Sequence, residues 1–164
     1  MSKIIKIIFK ILHSIRKWYW RTFRIKTFGA RVLLEKEGKV FLVQHRYNNY
    51  WVFPGGSMKK GENADDLCRR EVFEETGLIV TKFAKRLGTY KNNQEGKNDT
   101  LTILVANDFK KGPRWNFFQK IMQKVEIKDA GWFDIDNLPN TISDATKRRI
   151  EEYKNEQYDL EGKW

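Results

Sequence analysis

The chain has one cysteine in 164 residues, Cys68. A lone thiol excludes an intrachain disulfide and fits a reducing, cytoplasmic compartment, so an apolar core must hold the fold. Acid is missing from residues 1–26, which contain eight Lys or Arg; they carry +8 of the net +11, and the rest of the chain carries +3. Long apolar runs are missing too. The most apolar stretch, KIIKIIFKILHSIRKWYWRTFR at 3–24, is interrupted by lysines, whereas a membrane-spanning helix needs about 20 mostly apolar residues. It also has no uncharged apolar centre and no small-residue cleavage site, which argues against a signal peptide.

What that stretch does have is helical spacing. Ile4, Ile5, Ile8, Ile11, Leu12 and Ile15 recur along one side, and Lys3, Lys6, Lys10, Lys17, Arg21 and Arg24 mark a basic side. Residues 1–26 are therefore expected to form a basic amphipathic helix ahead of a single domain at 27–158, with 159–164 as a tail. Three roles stand for the segment: packing on the domain, forming a homodimer, or peripheral membrane contact with Trp18, Tyr19 and Trp20 at headgroup level. Charge alone does not separate anionic lipid from phosphodiester, and specific nucleic-acid binding is not expected.

The densest chemistry lies in Gly55 to Leu78, GGSMKKGENADDLCRREVFEETGL. Asn63 or Glu62 can start a helix, Asp65 and Asp66 suit its positive first turn, and Gly77 is placed to end it. At roughly 100° per residue, Ala64, Leu67, Cys68, Glu71, Val72 and Glu75 share a stripe with Glu74 to one side. Cys68 on that stripe reads as a small buried hydrophobe. Three carboxylates crowd one turn, and like charges so placed repel unless a cation joins them. Mg²⁺ takes oxygen ligands and shares its shell with substrate phosphates. The plainer reading is a solvated acidic face on which Arg70 and Glu74 form an ordinary surface pair worth a few tenths of a kcal/mol. Arg70 and Glu62 can also pair and fix helix against loop.

The spacing is more specific than the composition. Gly56, Glu62, Arg70, Glu71, Val72, Glu74, Glu75, Gly77 and Leu78 resemble the Nudix box at every fixed position. Trp51, Phe53, Pro54 and Gly55 are similar to the strand and turn leading into that box, and Trp132, Phe133, Leu138 and Pro139 to a signature near the family's C-terminal strand. The resemblance covers Phe28 to Tyr153. It implies an α/β Nudix fold, a mixed β-sheet between helices. It also implies Mg²⁺- or Mn²⁺-dependent hydrolysis of a nucleoside diphosphate linked to another moiety. Glu71, Glu74 and Glu75 fall on metal-ligand positions, and the Gly55 carbonyl on a backbone ligand. Arg70 belongs to the same catalytic set. Glu71 is the first choice of general base. Glu126, six residues before Trp132, is the second. A nucleotide-sensing module, or a membrane-recruited hydrolase of a lipid-linked diphosphate, is the alternative.

Around the box, Phe28 to Leu34 and Lys39 to Gln44 read as strands with Glu37 and Gly38 between them. His45 follows the second strand and reads as structural, a lone histidine with acid–base capacity. Arg46 suits a phosphate contact, and Tyr50 and Trp51 suit stacking on a base or packing under the sheet. Gly55 and Gly56 complete the substrate-binding set. Ile79 to Tyr90 and Leu101 to Asp108 read as two more strands around a polar loop, with Thr100 to Ala106 buried in the sheet centre. Lys110 to Lys124 reads as a loop broken by Gly112 and Pro113, with Trp115, Phe117 and Phe118 either closing over substrate or anchoring the loop. Ser143 caps a last helix to about Tyr158, with Arg148 and Arg149 on its surface.

Overall fold

A computed structural model describes residues 26–92 and 98–164. The expected N-terminal helix and the tip of the polar loop lie outside the described residues. In chain order the elements are β1 (Lys26–Lys36), β2 (Lys39–His45), β3 (Trp51–Val52), β4 (Gly55–Ser57), α1 (Ala64–Thr76), β5 (Leu78–Lys82) and β6 (Lys85–Asn92). They continue with β7 (Asn98–Ala106), β8 (Asp108–Lys111), α2 (Phe117–Glu126), β9 (Ile127–Asp134), α3 (Asp144–Lys154) and β10 (Leu160–Lys163).

The main sheet runs β10-β6-β7-β1-β2-β3, with β4 also paired to β1 and β9 to β2, while β5 and β8 form a separate ribbon. It is mixed: β1 and β7 are parallel from Phe28 opposite Thr100 to Leu34 opposite Ala106, and β1 and β2 are antiparallel. Glu37 and Gly38 close that hairpin at φ 53° and 73°. Positive φ at both central residues gives a turn whose twist matches the strands it joins.

Apolar residues on both sides of β1 explain the layering. Ala30, Val32 and Leu34 pack with Phe41, Val43, Leu67, Cys68 and Val72 beneath α1. Leu33 instead joins Val40, Leu42, Phe53, Leu87, Tyr90, Ile103 and Val105, beneath Ile150 of α3. A sheet covered on both faces needs such near-continuous apolar strands. Each fully buried Val, Leu, Ile or Phe contributes about 1.5–3 kcal/mol.

Five expectations are corrected. Ile79 to Tyr90 is not one strand: Phe83 turns into the core under the Arg69 guanidinium, and the Ala84 N–H donates to Val105, so the chain leaves the β5–β8 ribbon and enters the main sheet as β6. Lys110 to Lys124 is not a loop throughout. Lys110 and Lys111 end β8, and Asn116 caps α2 through a capping box with Gln119. Residues 159–164 are not a free tail, because β10 pairs in parallel with β6 from Leu160 opposite Gly88. Arg149 is not a surface residue: it is buried, its guanidinium 3.9 Å above the Tyr90 ring and 2.8 Å from Glu152. The last helix also stops at Lys154 rather than near Tyr158. Among the described residues no helix is long and apolar enough to cross a membrane.

Candidate active site

Helix α1 carries the acidic cluster, and its ends form as its sequence dictates. The Asn63 side chain accepts the Asp66 N–H at 2.9 Å, and Gly77 at φ 74° donates its N–H to Phe73. Both caps satisfy backbone groups that a helix end leaves unpaired. The buried stripe of Leu67, Cys68 and Val72 then sets the rotation that turns Glu71 and Glu75 toward β4. Burial, with the charges of Asp65 and Glu71 adding to it, pushes the Cys68 thiol well above its ordinary range.

Glu75 is almost fully buried, 3% exposed. One carboxylate oxygen lies 2.8 Å from His45 Nε2, and the other accepts the Gly55 N–H at 3.0 Å. Glu71 lies against Gly56, where a Cβ would stand 2.5 Å from its Oε1. Gly55, at φ 144°, brings its backbone so close to β1 that a Cβ would meet the Arg31 Cα at 2.7 Å. The two glycines therefore let the β4 backbone lie between β1 and the glutamates. Glu74 projects into solvent beside them, its side chain 49% exposed.

Arg70 ties the cluster to the loop. Its Nε and Nη2 donate to the two oxygens of Glu62 at 2.8 and 3.0 Å, and its Nη1 donates to Glu71 at 2.6 Å and Glu74 at 3.3 Å. This fork holds the Glu62 carboxyl down at about 2, chiefly through the hydrogen bond from Arg70. Glu71 goes the other way. Burial pushes it up, Arg70 opposes that, and the charges of Glu75 and Glu74 add to the rise.

Glu126, the last residue of α2, reaches the same place from beside the end of β2, where its carbonyl accepts the Arg46 N–H at 2.9 Å. Its carboxyl oxygen, one oxygen of Glu75 and a ring nitrogen of His45 all lie within 4.8 Å of one another. Although Glu126 is exposed as a residue, desolvation of its carboxyl, then the Glu75 charge, raise it above the ordinary glutamate range.

The fold thus gathers Glu71, Glu74, Glu75, Arg70, Gly55, Gly56 and Glu126. It adds His45, which sequence reasoning treated as structural; a histidine ending a strand has no local signal that a glutamate 30 residues on will meet it. Of the other expected substrate contacts one lies elsewhere, one is engaged through a single nitrogen and one stands exposed. Trp51 packs edge-on to Phe133 at 4.7 Å in the core on the α3 side, opposite the glutamates. The Arg46 Nε donates to the Lys124 carbonyl at 2.6 Å. Tyr50 stands exposed on the loop between β2 and β3.

These donors fit a hard divalent cation. Three glutamates crowd a single turn with Arg70 as the cation among them, and two of the four carboxyls at the site are driven toward the neutral form. An oxygen-loving ion relieves that repulsion.

The NUDIX domain family model matches residues 24–153. Over 116 residues the chain is 32% identical to an m7GpppN-mRNA hydrolase of Saccharomyces cerevisiae, a stretch covering 70% of this chain but only 11% of the yeast protein. It is 29% identical over 119 residues to an ADP-ribose pyrophosphatase of Methanocaldococcus jannaschii, covering 70% of this chain and 66% of that one. In fold it is similar to a MutT Nudix hydrolase of Burkholderia pseudomallei, with a TM-score of 0.66 at 21% identity, over 78% of this chain and 98% of the other. The family match spans β1 to β9 and both helices that carry the site, so the chain belongs to the Nudix family.

Proposed function

We propose that the chain hydrolyses a phosphoanhydride, in the form of a nucleoside diphosphate linked to a second moiety, with Mg²⁺ or Mn²⁺ as cofactor. The observation that carries this reading is Glu75. A carboxylate buried to 3% exposure and held by Gly55 and His45 is costly to the fold unless it has a task. Glu71, Glu74, Glu75 and the Gly55 carbonyl would hold the cation, with Glu126 facing them. When bound, the cation neutralises charge on the diphosphate oxygens and makes water more acidic.

The chain's own groups do the rest. Arg70 orients Glu71, and burial keeps that carboxylate basic enough to take a proton from the attacking water. As that proton leaves, a water oxygen bonds to phosphorus and the bridging P–O bond breaks. Glu126 is the second candidate for the base, since burial and then the charge of Glu75 raise it above the ordinary glutamate range. Arg46 and Tyr50, on the loop after β2, are the groups proposed to meet the rest of the substrate. The names of the yeast and archaeal relatives, a hydrolase and a pyrophosphatase, support the reaction class.

The test is a screen of nucleotide sugars, ADP-ribose, dinucleoside polyphosphates, nucleoside triphosphates and capped RNA with Mg²⁺ or Mn²⁺. Turnover of at least one is expected, and Glu75→Gln should lower it on the order of 10²-fold or more. Full activity of that variant would defeat the assignment. Tight nucleotide binding without turnover would mark a sensing module instead.

A further inference from the structure

Helix α2 faces the wrong way for a helix whose only neighbour is its own domain. Phe117, Phe118, Ile121, Met122 and Val125 share an arc of about 140°, and they are 81, 68, 41, 48 and 43% exposed. The half-buried positions are instead the polar Gln119 and Gln123, and no residue of the helix is fully buried. Surface helices ordinarily turn the apolar stripe inward. This orientation is not that of a frayed segment, because both ends are fixed. Just before the N-cap, Trp115 donates from Nε1 to the Phe73 carbonyl at 3.1 Å. At the other end Ile127 is buried, and the Lys124 carbonyl accepts from Arg46.

Charge selects the occupant of the exposed face. From Arg114 to Lys128 the chain has four cations, Arg114, Lys120, Lys124 and Lys128, and one acid, Glu126. All four cations are exposed, and none has an ion-pair partner among the described residues. A second copy at +11, or the N-terminal segment at +8, would bring like charge to this rim. Apart from Phe117 and Phe118 the stripe is Ile121, Met122 and Val125, which offer a nucleic acid no ring to stack on.

We propose that α2 is a docking surface for an anionic phospholipid bilayer. Its five apolar side chains enter the boundary between headgroups and acyl chains, and Lys120 and Lys124 on the helix, with Arg114 and Lys128 flanking it in the chain, meet the lipid phosphates. Glu126 lies beside Met122 on the edge of the stripe, and its carboxyl is within 4.8 Å of His45 and Glu75. Docking would therefore hold the acidic site at the membrane surface, whatever substrate it serves.

Co-sedimentation of the full chain with phosphatidylglycerol–phosphatidylcholine vesicles, against pure phosphatidylcholine, tests this. Wild type should partition to the anionic vesicles, and Phe118→Asp with Ile121→Asp should weaken that about tenfold or more at unchanged Tm. Absence of wild-type binding, or equal binding by the variant, overturns the proposal. Loss of single-stranded RNA binding in the variant while vesicle binding persists overturns it in favour of nucleic acid. If the aspartates lower Tm, Lys120→Glu with Lys124→Glu decides: weaker vesicle binding supports the proposal, and unchanged binding assigns the stripe to the chain itself.

Discussion

A methyl group at position 56 would collide with the oxygen of Glu71 that Arg70 holds, so that single glycine couples the backbone of β4 to the chemistry of α1. Gly56→Ala must displace the end of the Glu71 side chain. Because that end can rotate, stability should fall by no more than about 1 kcal/mol. Turnover should fall at least about tenfold, since roughly 1 Å of misplacement is enough to cost that much. A melting curve and a rate on one substrate check both halves. Glu62 gives a pH prediction with a definite sign. Its carboxyl goes from an ordinary value of 4.5 to about 2 in the folded chain. A depressed acid stabilises the fold above its unfolded value and loses that contribution as pH falls through the folded one. Stability should therefore decline between about pH 4.5 and 2, and Glu62→Gln should be less stable at neutral pH but flatter across that window. A variant that kept the wild-type slope in urea titrations at several pH values would refute the Arg70 fork as its cause.

Among the elements, α1 depends on its ends because its polar face is rich in mutually repelling acid. Asn63→Ala removes the acceptor for the Asp66 N–H and should cost about 1 kcal/mol by chemical denaturation. The loss should be global, since α1 covers the core that includes Val32, Phe41 and Val43. At this scale the sequence was most legible where signals are local. Asn63 and Gly77 bounded α1, and the alternation of Leu67, Cys68 and Val72 with charged positions announced its buried face. Helix α2 was missed because Gly112 and Pro113 just upstream read as breakers. Its apolar residues also sit on the side away from the body, so the pattern that marks a packed helix was aimed at nothing in this domain. The break between β5 and β6 was missed for a related reason. Phe83 fits a strand pattern, and only the separate ribbon formed by β5 and β8 makes it a corner.

For the whole molecule, the C-terminal strand closes the fold. Arg149 is buried over Tyr90, its Nη1 donates to the Lys163 carbonyl, and its Nε has no hydrogen-bond partner among the described residues. Leaving out residues 160–164 removes the strand that covers the edge of β6, together with the contact of Trp164 on Tyr90. Such a chain should melt several degrees lower, because about 1 kcal/mol shifts the Tm of a 150–250-residue protein by some 2–4 °C. An unchanged Tm would mean that β10 is dispensable for the core.

By itself the sequence determined the helix that carries the glutamates, the glycines beside them and the strands that cross the core. All of these follow from contacts between residues a few positions apart: a cap, a turn, a period of two or of 3.6. Only the tertiary structure decided that His45 ends its strand against Glu75, that Glu126, which the resemblance had singled out, comes within reach of both, and that Trp51 faces the opposite core. Those three outcomes depend on strand order and on which face of the sheet each side chain meets. Pairings between residues distant in the chain set both, and no local spacing encodes them.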